Sequence, residues 1–377
     1  MDALLISRAP ARAALLALLV LGFACVPGAR AADTGANAEL SYGIPRADID
    51  REIRLLEGAH VSWVRMNVGW DGVEPTSRGR HDERLLGDFD HAVSRLHRAG
   101  IGVVMPVADG VPFWASGDPR KRTVHGAHRW NVHYRPRRFA DYARFFSWVV
   151  RRYSRLGVHV YEVWNEPNIA RFWPSGPDPG AYTEMLRAAY PAIKRADSAS
   201  TVVLGGLSQN DHEFLRGIYA HGGGRSFDAV GDHVYPDGDP ARCQDEASGA
   251  RSRDSLCGVE EMHHVMEAAG DGQKPVWITE FGWSTTTSAQ GVSEMQQASY
   301  LKTALDRFAS YPWLKAALVY QLRNVPFLHD RPEDWEANLG LVRTNFSPKP
   351  AYRALADYAT TNWLLGGRGG TIGAALP

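Results

Sequence analysis

Short apolar runs alternate with amphipathic helical segments along most of this chain, and this alternation limits the possible folds more than any other feature. Eight buried strands are predicted at Tyr42–Ile44, Val64–Val68, Gly102–Val107, His159–Trp164, Val202–Leu207, Ala229–Tyr235, Pro275–Glu280 and Ala316–Leu322. Strict alternation with helices implies parallel strands joined by crossover helices. Eight such repeats predict an α/β protein with a single-domain, closed (β/α)₈ TIM barrel. An open doubly wound sheet is the alternative, but no glycine-rich turn follows the first predicted strand.

The N-terminus has the organisation of a secretion signal. Arg8 and Arg12 precede the apolar segment Ala13–Ala24, and small residues at Ala29–Ala31 suit a cleavage site. An apolar segment of about 12 residues is too short to span a bilayer. A lipid anchor at Cys25 is the weaker alternative.

These features divide the chain into a signal peptide at residues 1–31, a single barrel domain at 32–364 and a flexible, glycine-rich tail at 365–377. We therefore expect a secreted or periplasmic protein without stable membrane insertion after cleavage. In such a compartment, Cys243 and Cys257 are expected to form a disulfide, with two free thiols as the alternative. The whole chain has 42 basic and 42 acidic residues, which gives no argument for a nucleic-acid partner. We expect a monomer.

Two carboxylates stand where predicted strands end. Glu166, in YEVWNEPN, follows the fourth strand, and Pro167 cannot continue a sheet ladder. Glu280, in VWITEFGW, ends the seventh strand. Barrel active sites form where strands end, so the two carboxylates are expected to share one cleft. Strand alternation would also place Glu162, Trp164 and Glu166 on one face, provided that no bulge intervenes.

Two carboxylates in one cleft are the groups that hydrolyse glycosides. Glu280 would be ionised and act as the nucleophile. Glu166 would need a raised pKa to stay protonated and donate a proton to the leaving oxygen. A single glutamate at a strand end would more simply be interpreted as a structural ion pair.

At WNEPN and ITEFGW the sequence resembles the clan of retaining (β/α)₈ glycoside hydrolases that carry the acid/base on strand four and the nucleophile on strand seven. It is most similar to glycoside hydrolase family 39 and to family 5-like relatives, among which are endoglycosidases that cleave bacterial exopolysaccharides. The resemblance implies that Glu166 is the acid/base and Glu280 the nucleophile. Asn165 would then bind the sugar 2-hydroxyl.

The same resemblance assigns three further residues to the reactive subsite. Arg65, in VRMN, would support the nucleophile and lower its pKa. His233 and Tyr235, in DHVYP after strand six, would line the subsite, with the tyrosine hydroxyl touching the nucleophile. For these two, a packed core histidine and a packed aromatic are the alternatives.

The eighth strand departs from the clan pattern. Many members carry a tryptophan at its end, whereas this chain has VYQLRNVPF, with Gln321 and Arg323. Either Trp335 replaces that sugar platform, or the subsite differs. Trp114, Trp283 and Trp335 are the tryptophans that we predict to bind substrate, because sugars stack on aromatic rings.

The loop after strand three is basic. Residues 118–138 include seven lysine and arginine residues and one acid. A solvated loop is the simpler interpretation, and a subsite for an anionic polysaccharide is the alternative.

The sequence thus predicts an enzyme, a retaining glycosidase that cleaves β-linked poly- or oligosaccharides through a covalent glycosyl-enzyme. We expect no cofactor and no metal. A non-catalytic carbohydrate-binding barrel and a transglycosylase are the alternatives, and the latter shares the same intermediate.

Overall fold

A computed structural model describes residues 32–108, 110–236, 238–243, 253–325 and 331–365 of the chain. The predicted signal peptide and the predicted tail beyond residue 365 lie outside the described residues. The strands of the barrel are β1 (Asp33–Asn37), β2 (Trp63–Arg65, continued by Val68–Gly69), β3 (Gly102–Ala108), β4 (Val160–Val163), β5 (Thr201–Ser208), β6 (Ala229–Val234), β7 (Val276–Phe281) and β8 (Leu314–Val319). Each pairs in parallel with its sequence neighbour, and β1 also pairs with β8, which closes the barrel. The predicted TIM barrel is confirmed.

One helix follows each strand. These helices are α1 (Arg46–Gly58), α2 (Glu83–Arg98), α3 (Phe139–Tyr153), α4 (Pro179–Ala196), α5 (His212–Ala220), α6 (Gly258–Ala268), α7 (Glu294–Ala309) and α8 (Pro350–Leu365). A helical turn at Trp70–Val73 follows β2, and the loop after β3 contains an antiparallel hairpin of Arg122–Val124 and Ala127–Arg129.

The prediction of the first strand was wrong. Tyr42–Ile44 lies in a turn, where Tyr42 and Gly43 have left-handed backbone angles (φ 49° and 86°). The first strand is instead the segment DTGAN, whose small and polar residues lack an apolar signal. A Cβ atom on Gly35 would lie 2.6 Å from Leu318 Cγ and from the Trp63 carbonyl oxygen. Close packing between β2 and β8 therefore requires glycine here, and it weakens the sequence pattern of the strand.

The barrel interior is apolar at its lower end. A separate buried cluster contains Leu318, near the end of β8, and six residues from the first halves of the strands: Val104, Val160, Val203, Ala229, Trp277 and Ala316. Trp63 packs edge-on against Trp277, with ring centroids 5.0 Å apart. This cluster closes the barrel from below, so that polar interior side chains are confined to the end where the strands finish.

The alternation predicted around Glu166 does not hold. Trp164 and Glu166 both have positive φ angles (73° and 40°), which turn the chain as it leaves β4. Trp164 therefore points outward and packs edge-on against Tyr142 and Trp173, as a core residue. Glu162 points into the barrel, where it pairs with Arg65.

Tyr182 of α4 fixes the end of β4. Its buried hydroxyl donates to the Val163 carbonyl at 2.7 Å and accepts from the Gly205 amide at 2.8 Å. Tyr182→Phe leaves both backbone groups without this partner, so we expect the free energy of unfolding to fall by about 2 kcal/mol. Urea denaturation measures this loss. Tyr300→Phe, at a half-buried ring, is the control and should change stability little; equal losses in both variants would contradict the prediction.

Candidate active site

Glu166 and Glu280 meet at the end of the barrel where the strands finish. Glu166 follows β4, and Glu280 is the penultimate residue of β7. Each residue is only 8% exposed, and one oxygen of each carboxylate lies within 4.8 Å of the other. The structure therefore places in one cleft two acids that are 114 residues apart in the sequence.

Arg65, at the end of β2, connects the interior polar groups. Its guanidinium donates to Glu280 Oε1 at 2.6 Å, to Glu162 Oε2 at 2.7 Å and to Asn37 Oδ1 at 3.1 Å. It also donates to Asn165 Oδ1 at 2.8 Å. Asn165 also lines the pocket. Arg65 thus orients Glu280 and places a positive charge beside it.

Tyr235 binds the other oxygen of Glu280 and is itself packed against further aromatic rings. Tyr235 Oη donates to Glu280 Oε2 at 2.5 Å. Burial, together with the charge of Glu280, raises the pKa of Tyr235, so its hydroxyl keeps the proton that it donates. The Tyr235 ring packs edge-on against Trp335 and Tyr320, at 5.2 and 6.3 Å between centroids. Both rings line the pocket.

Tyr320 is a pocket residue that the sequence analysis missed. It directly follows β8, where the clan resemblance led us to expect a tryptophan. Its place in the sequence was therefore the available signal. The wall at β8 consists of Tyr320 and Gln321, and Trp335 covers it from the following loop.

His233 connects the two carboxylates from below. The fully buried ring places Nδ1 2.9 Å from Glu166 Oε1 and 3.4 Å from Glu280 Oε2. Its Nε2 lies 3.1 Å from Thr279 Oγ1. Burial disfavours a charged imidazole, but the negative charges of Glu280 and Glu166 outweigh burial and raise the pKa of His233.

The raised pKa expected for Glu166 is not what this geometry produces. Burial does favour the neutral acid, but the hydrogen bond and the charge of His233 are together stronger, and they lower the pKa of Glu166. Ser208 and Arg65 act in the same direction. Both shifts favour a charged imidazole of His233 beside an ionised carboxylate of Glu166.

The catalytic pocket has a volume of about 420 Å³. Arg171, from the loop after β4, and Glu336, from the loop after β8, pair at 3.0 Å across its rim. Phe172 and His133 pack edge-on on the wall near β4, with ring centroids 5.1 Å apart. Hydroxyl-rich molecules of about the size of a sugar suit this mixture of rings and polar groups.

Of the three predicted substrate-binding tryptophans, the structure brings only Trp335 to the catalytic pocket. Trp283 is buried and donates its indole N–H to the Gly238 carbonyl. Trp114 is half-buried, donates to the Glu74 carbonyl and packs edge-on against Trp70. Both indole N–H groups are used in holding loops, and neither ring lines the catalytic pocket, so a substrate-binding role for these two tryptophans stays a prediction.

The basic loop after β3 contributes one of its described residues to the pocket lining. His133 is the member of this loop that lines the pocket among the described residues, whereas Arg122 and Arg129 are exposed on the hairpin. Lys121 lies over the Phe113 ring, and Arg120 over the Tyr134 ring. The solvated-loop interpretation fits this placement better than an anionic subsite does.

Glu166, His233 and Glu280 are close enough together to ligate a metal ion. Both oxygens of Glu280 nevertheless already accept hydrogen bonds, from Arg65 and from Tyr235. The guanidinium charge 2.6 Å away opposes a second cation at this position. The donor set therefore fits an organic substrate better than a metal.

Cys243 and Cys257 form the predicted disulfide, with Cα atoms 5.3 Å apart. The bond links the loop after β6 to the start of α6.

Among the helices of the described residues, none is both long and apolar enough to cross a membrane.

Residues 30–316 match the family model for "Cellulase (glycosyl hydrolase family 5)". No curated protein matches the chain. Among solved structures, the fold is similar to a family 39 glycoside hydrolase from Bacteroides cellulosilyticus WH2 (TM-score 0.68, 22% identity, covering 88% of this chain and 64% of that chain). It is also similar to the exo-beta-1,4-mannosidase of Opitutaceae bacterium strain TAV5 (TM-score 0.62, 17% identity, covering 89% of this chain and 60% of that chain). The chain thus spans less than two thirds of these two proteins.

Proposed function

The chain belongs to the cellulase family, glycosyl hydrolase family 5, and from this membership we propose that it hydrolyses β-glycosidic bonds with retention of configuration. The membership confirms the clan resemblance of the motifs around Glu166 and Glu280. One observation carries the proposal, namely the approach of their carboxylate oxygens to within 4.8 Å. Retaining glycosidases hold their carboxyl groups about 5 to 5.5 Å apart, whereas inverting enzymes leave room for a water.

In the first step Glu280 attacks the anomeric carbon, and the bond to the leaving oxygen breaks. Arg65 and Tyr235 hold both oxygens of the Glu280 carboxylate, which fixes the direction of attack. Glu166 donates a proton to the leaving oxygen, so that the alcohol leaves neutral. Asn165 lines the pocket, and its amide nitrogen is the group that would donate a hydrogen bond to the sugar 2-hydroxyl.

In the second step Glu166, now ionised, takes a proton from water, and the water oxygen attacks the glycosyl-enzyme. The bond to Glu280 breaks, and the sugar leaves with its original configuration. A sugar hydroxyl in place of water would produce transglycosylation through the same intermediate.

His233 supplies the proton that Glu166 donates. When substrate covers the pocket and Glu280 begins to lose its charge to the anomeric carbon, one of the charges that hold the proton on His233 weakens. The proton can then move 2.9 Å to Glu166 Oε1. This route lets Glu166 act as an acid although its pKa in the free protein is lowered.

This route has a measurable pH dependence. The pKa of His233 is raised, so the proton shared by His233 and Glu166 is still bound at pH values above about 6.5, the ordinary histidine pKa. The proton is lost as the pH rises further. We expect kcat/KM for a poor leaving group to fall on that alkaline side. In His233→Asn the fall should move to lower pH. A dinitrophenyl glycoside, which needs no acid, is the control and should lack this limb; identical profiles for wild type and His233→Asn would contradict the route.

The substrate is proposed to be a poly- or oligosaccharide, and bacterial exopolysaccharides are among the polymers to test. The pocket rings and the rim pair Arg171–Glu336 support binding of a sugar within a chain.

We also propose that the protein acts outside the cytoplasm, which the disulfide Cys243–Cys257 supports. Detection of the processed protein in the periplasm or the medium tests this location.

Turnover of para-nitrophenyl β-glycosides of glucose, mannose and xylose, and of purified exopolysaccharides, tests the activity. Product masses identify the bond cleaved, and NMR of the first product should show the β-anomer. An α-anomer would refute retention. Binding of these sugars without any turnover would favour a non-catalytic carbohydrate-binding protein instead.

A further inference from the structure

A second cavity, of about 680 Å³, adjoins the catalytic pocket. Its walls come from the loop after β1, at residues 42–45, from the first turn of α1 and from the segment after β2. Glu39 and Asn67 line both this cavity and the catalytic pocket. The two spaces are therefore neighbours with a shared wall, and a molecule longer than one sugar can occupy both.

The cavity lies on the side of the nucleophile. Glu39 is two residues beyond Asn37, and Asn67 two residues beyond Arg65, the side chain that holds Glu280. Arg323, which also lines the cavity, follows β8, the neighbour of the nucleophile strand β7, whereas Glu166 follows β4, beyond β2 and β3. Glu280 bonds to the sugar that stays on the enzyme, so the cavity continues the site from that sugar, away from the leaving group.

We propose that this cavity binds the second sugar of the glycone, and that it takes a neutral or amine-bearing sugar rather than a uronic acid. The inference rests on the proposed glycosidase function and specifies its substrate. The enzyme would then act on chains of at least two glycone sugars, and not as a single-sugar exoglycosidase.

Tyr42 provides a surface on which a sugar can stack. Its side chain is 40% exposed at the cavity. Its hydroxyl accepts a hydrogen bond from the Gly69 amide, and its ring packs edge-on against Phe89 at 5.6 Å. The ring is thus held in place before a ligand arrives, which reduces the entropy lost on binding.

The charges of the lining select the kind of sugar. The described lining residues include the carboxylates of Glu39, Asp48 and Asp71 and one guanidinium, that of Arg323. Arg323 is 5% exposed and lies 3.5 Å from the Asp48 carboxylate and 3.0 Å from Glu52, whose pKa burial raises to about 8. Carboxylates accept hydrogen bonds from hydroxyl and ammonium groups, whereas a sugar carboxylate would be repelled.

The first test compares para-nitrophenyl glycosides with one and with two sugars of the kind that the activity screen selects. We expect the disaccharide glycone to raise kcat/KM by about tenfold or more. Ile44→Trp, which fills the cavity, should abolish this gain while the monosaccharide glycoside is still cleaved. Ala47→Trp adds the same ring on an exposed position outside the lining and should keep the gain. If Ile44→Trp does not fold, Tyr42→Ala, which removes the stacking ring, takes its place.

The second test measures binding of cellobiose, of its glucosamine analogue and of its glucuronic acid analogue by calorimetry, independently of turnover. We expect the glucuronic acid analogue to bind at least about tenfold more weakly than cellobiose and the glucosamine analogue. Asp71→Asn should reduce this difference in affinity. Equal kcat/KM for one and two sugars, or tightest binding of the acid, would overturn the inference. Binding in this order without turnover would leave the subsite in place and refute the glycosidase function instead.

Discussion

Replacing Glu280 by glutamine is expected to lower kcat by about 10⁵-fold and to leave the fold intact. The amide has nearly the shape of the carboxylate, so its oxygen can still accept from Arg65 and its position beside Tyr235 is kept. What is lost is the nucleophile, because a neutral amide does not form the ester bond to the anomeric carbon. Steady-state kinetics with a para-nitrophenyl glycoside measure the loss, and circular dichroism checks the fold.

A matched substitution separates this effect from a general loss of carboxylates. Glu184→Gln changes an exposed glutamate of α4 that pairs with Arg187, and it should retain wild-type turnover. Mass spectrometry with a slowly released fluorosugar should label wild-type protein within the peptide that contains Glu280, and should fail to label Glu280→Gln. Near-normal turnover by Glu280→Gln, or label on a different carboxylate, would exclude Glu280 as the nucleophile.

Replacing Glu166 by alanine should have an effect that depends on the leaving group. With a poor leaving group, both steps lose their proton transfer, and kcat/KM should fall by about 10³-fold. With a dinitrophenyl group the first step needs no acid, so kcat/KM should change by less than about tenfold while release of the sugar becomes slow.

Azide provides the decisive measurement for this variant. A small anion can enter the space left by the Glu166 side chain and attack the glycosyl-enzyme without needing a base. We expect azide to accelerate Glu166→Ala and to yield a β-glycosyl azide, with little effect on the wild type. Ser208→Ala, which alters a neighbour of Glu166 on the pocket wall, is the control and should show no rescue. An α-glycosyl azide, or equal losses for both leaving groups, would contradict the acid/base assignment.

The fold could be read from the sequence wherever hydrophobic patterning was strong. Strands β3 to β7 are predicted within one or two residues, because apolar runs between turns encode them locally. The first strand was missed because Gly35 is required by its neighbours Leu318 and Trp63, which are distant in the sequence. The outward turn of Trp164 was missed because left-handed backbone at a non-glycine residue leaves no mark in a hydrophobic pattern.

The sequence by itself determined the barrel and the two strand ends that carry Glu166 and Glu280, because periodicity and turn residues act over a few positions. Only the tertiary structure decided that Arg65 bonds Glu280 across 215 positions of sequence, and that the pKa of Glu166 is lowered while that of His233 is raised. The tertiary structure also revealed a second cavity that adjoins the catalytic pocket, which no sequence pattern indicated. Proton affinity and cavity shape depend on distances between groups from different strands, and barrel closure sets those distances.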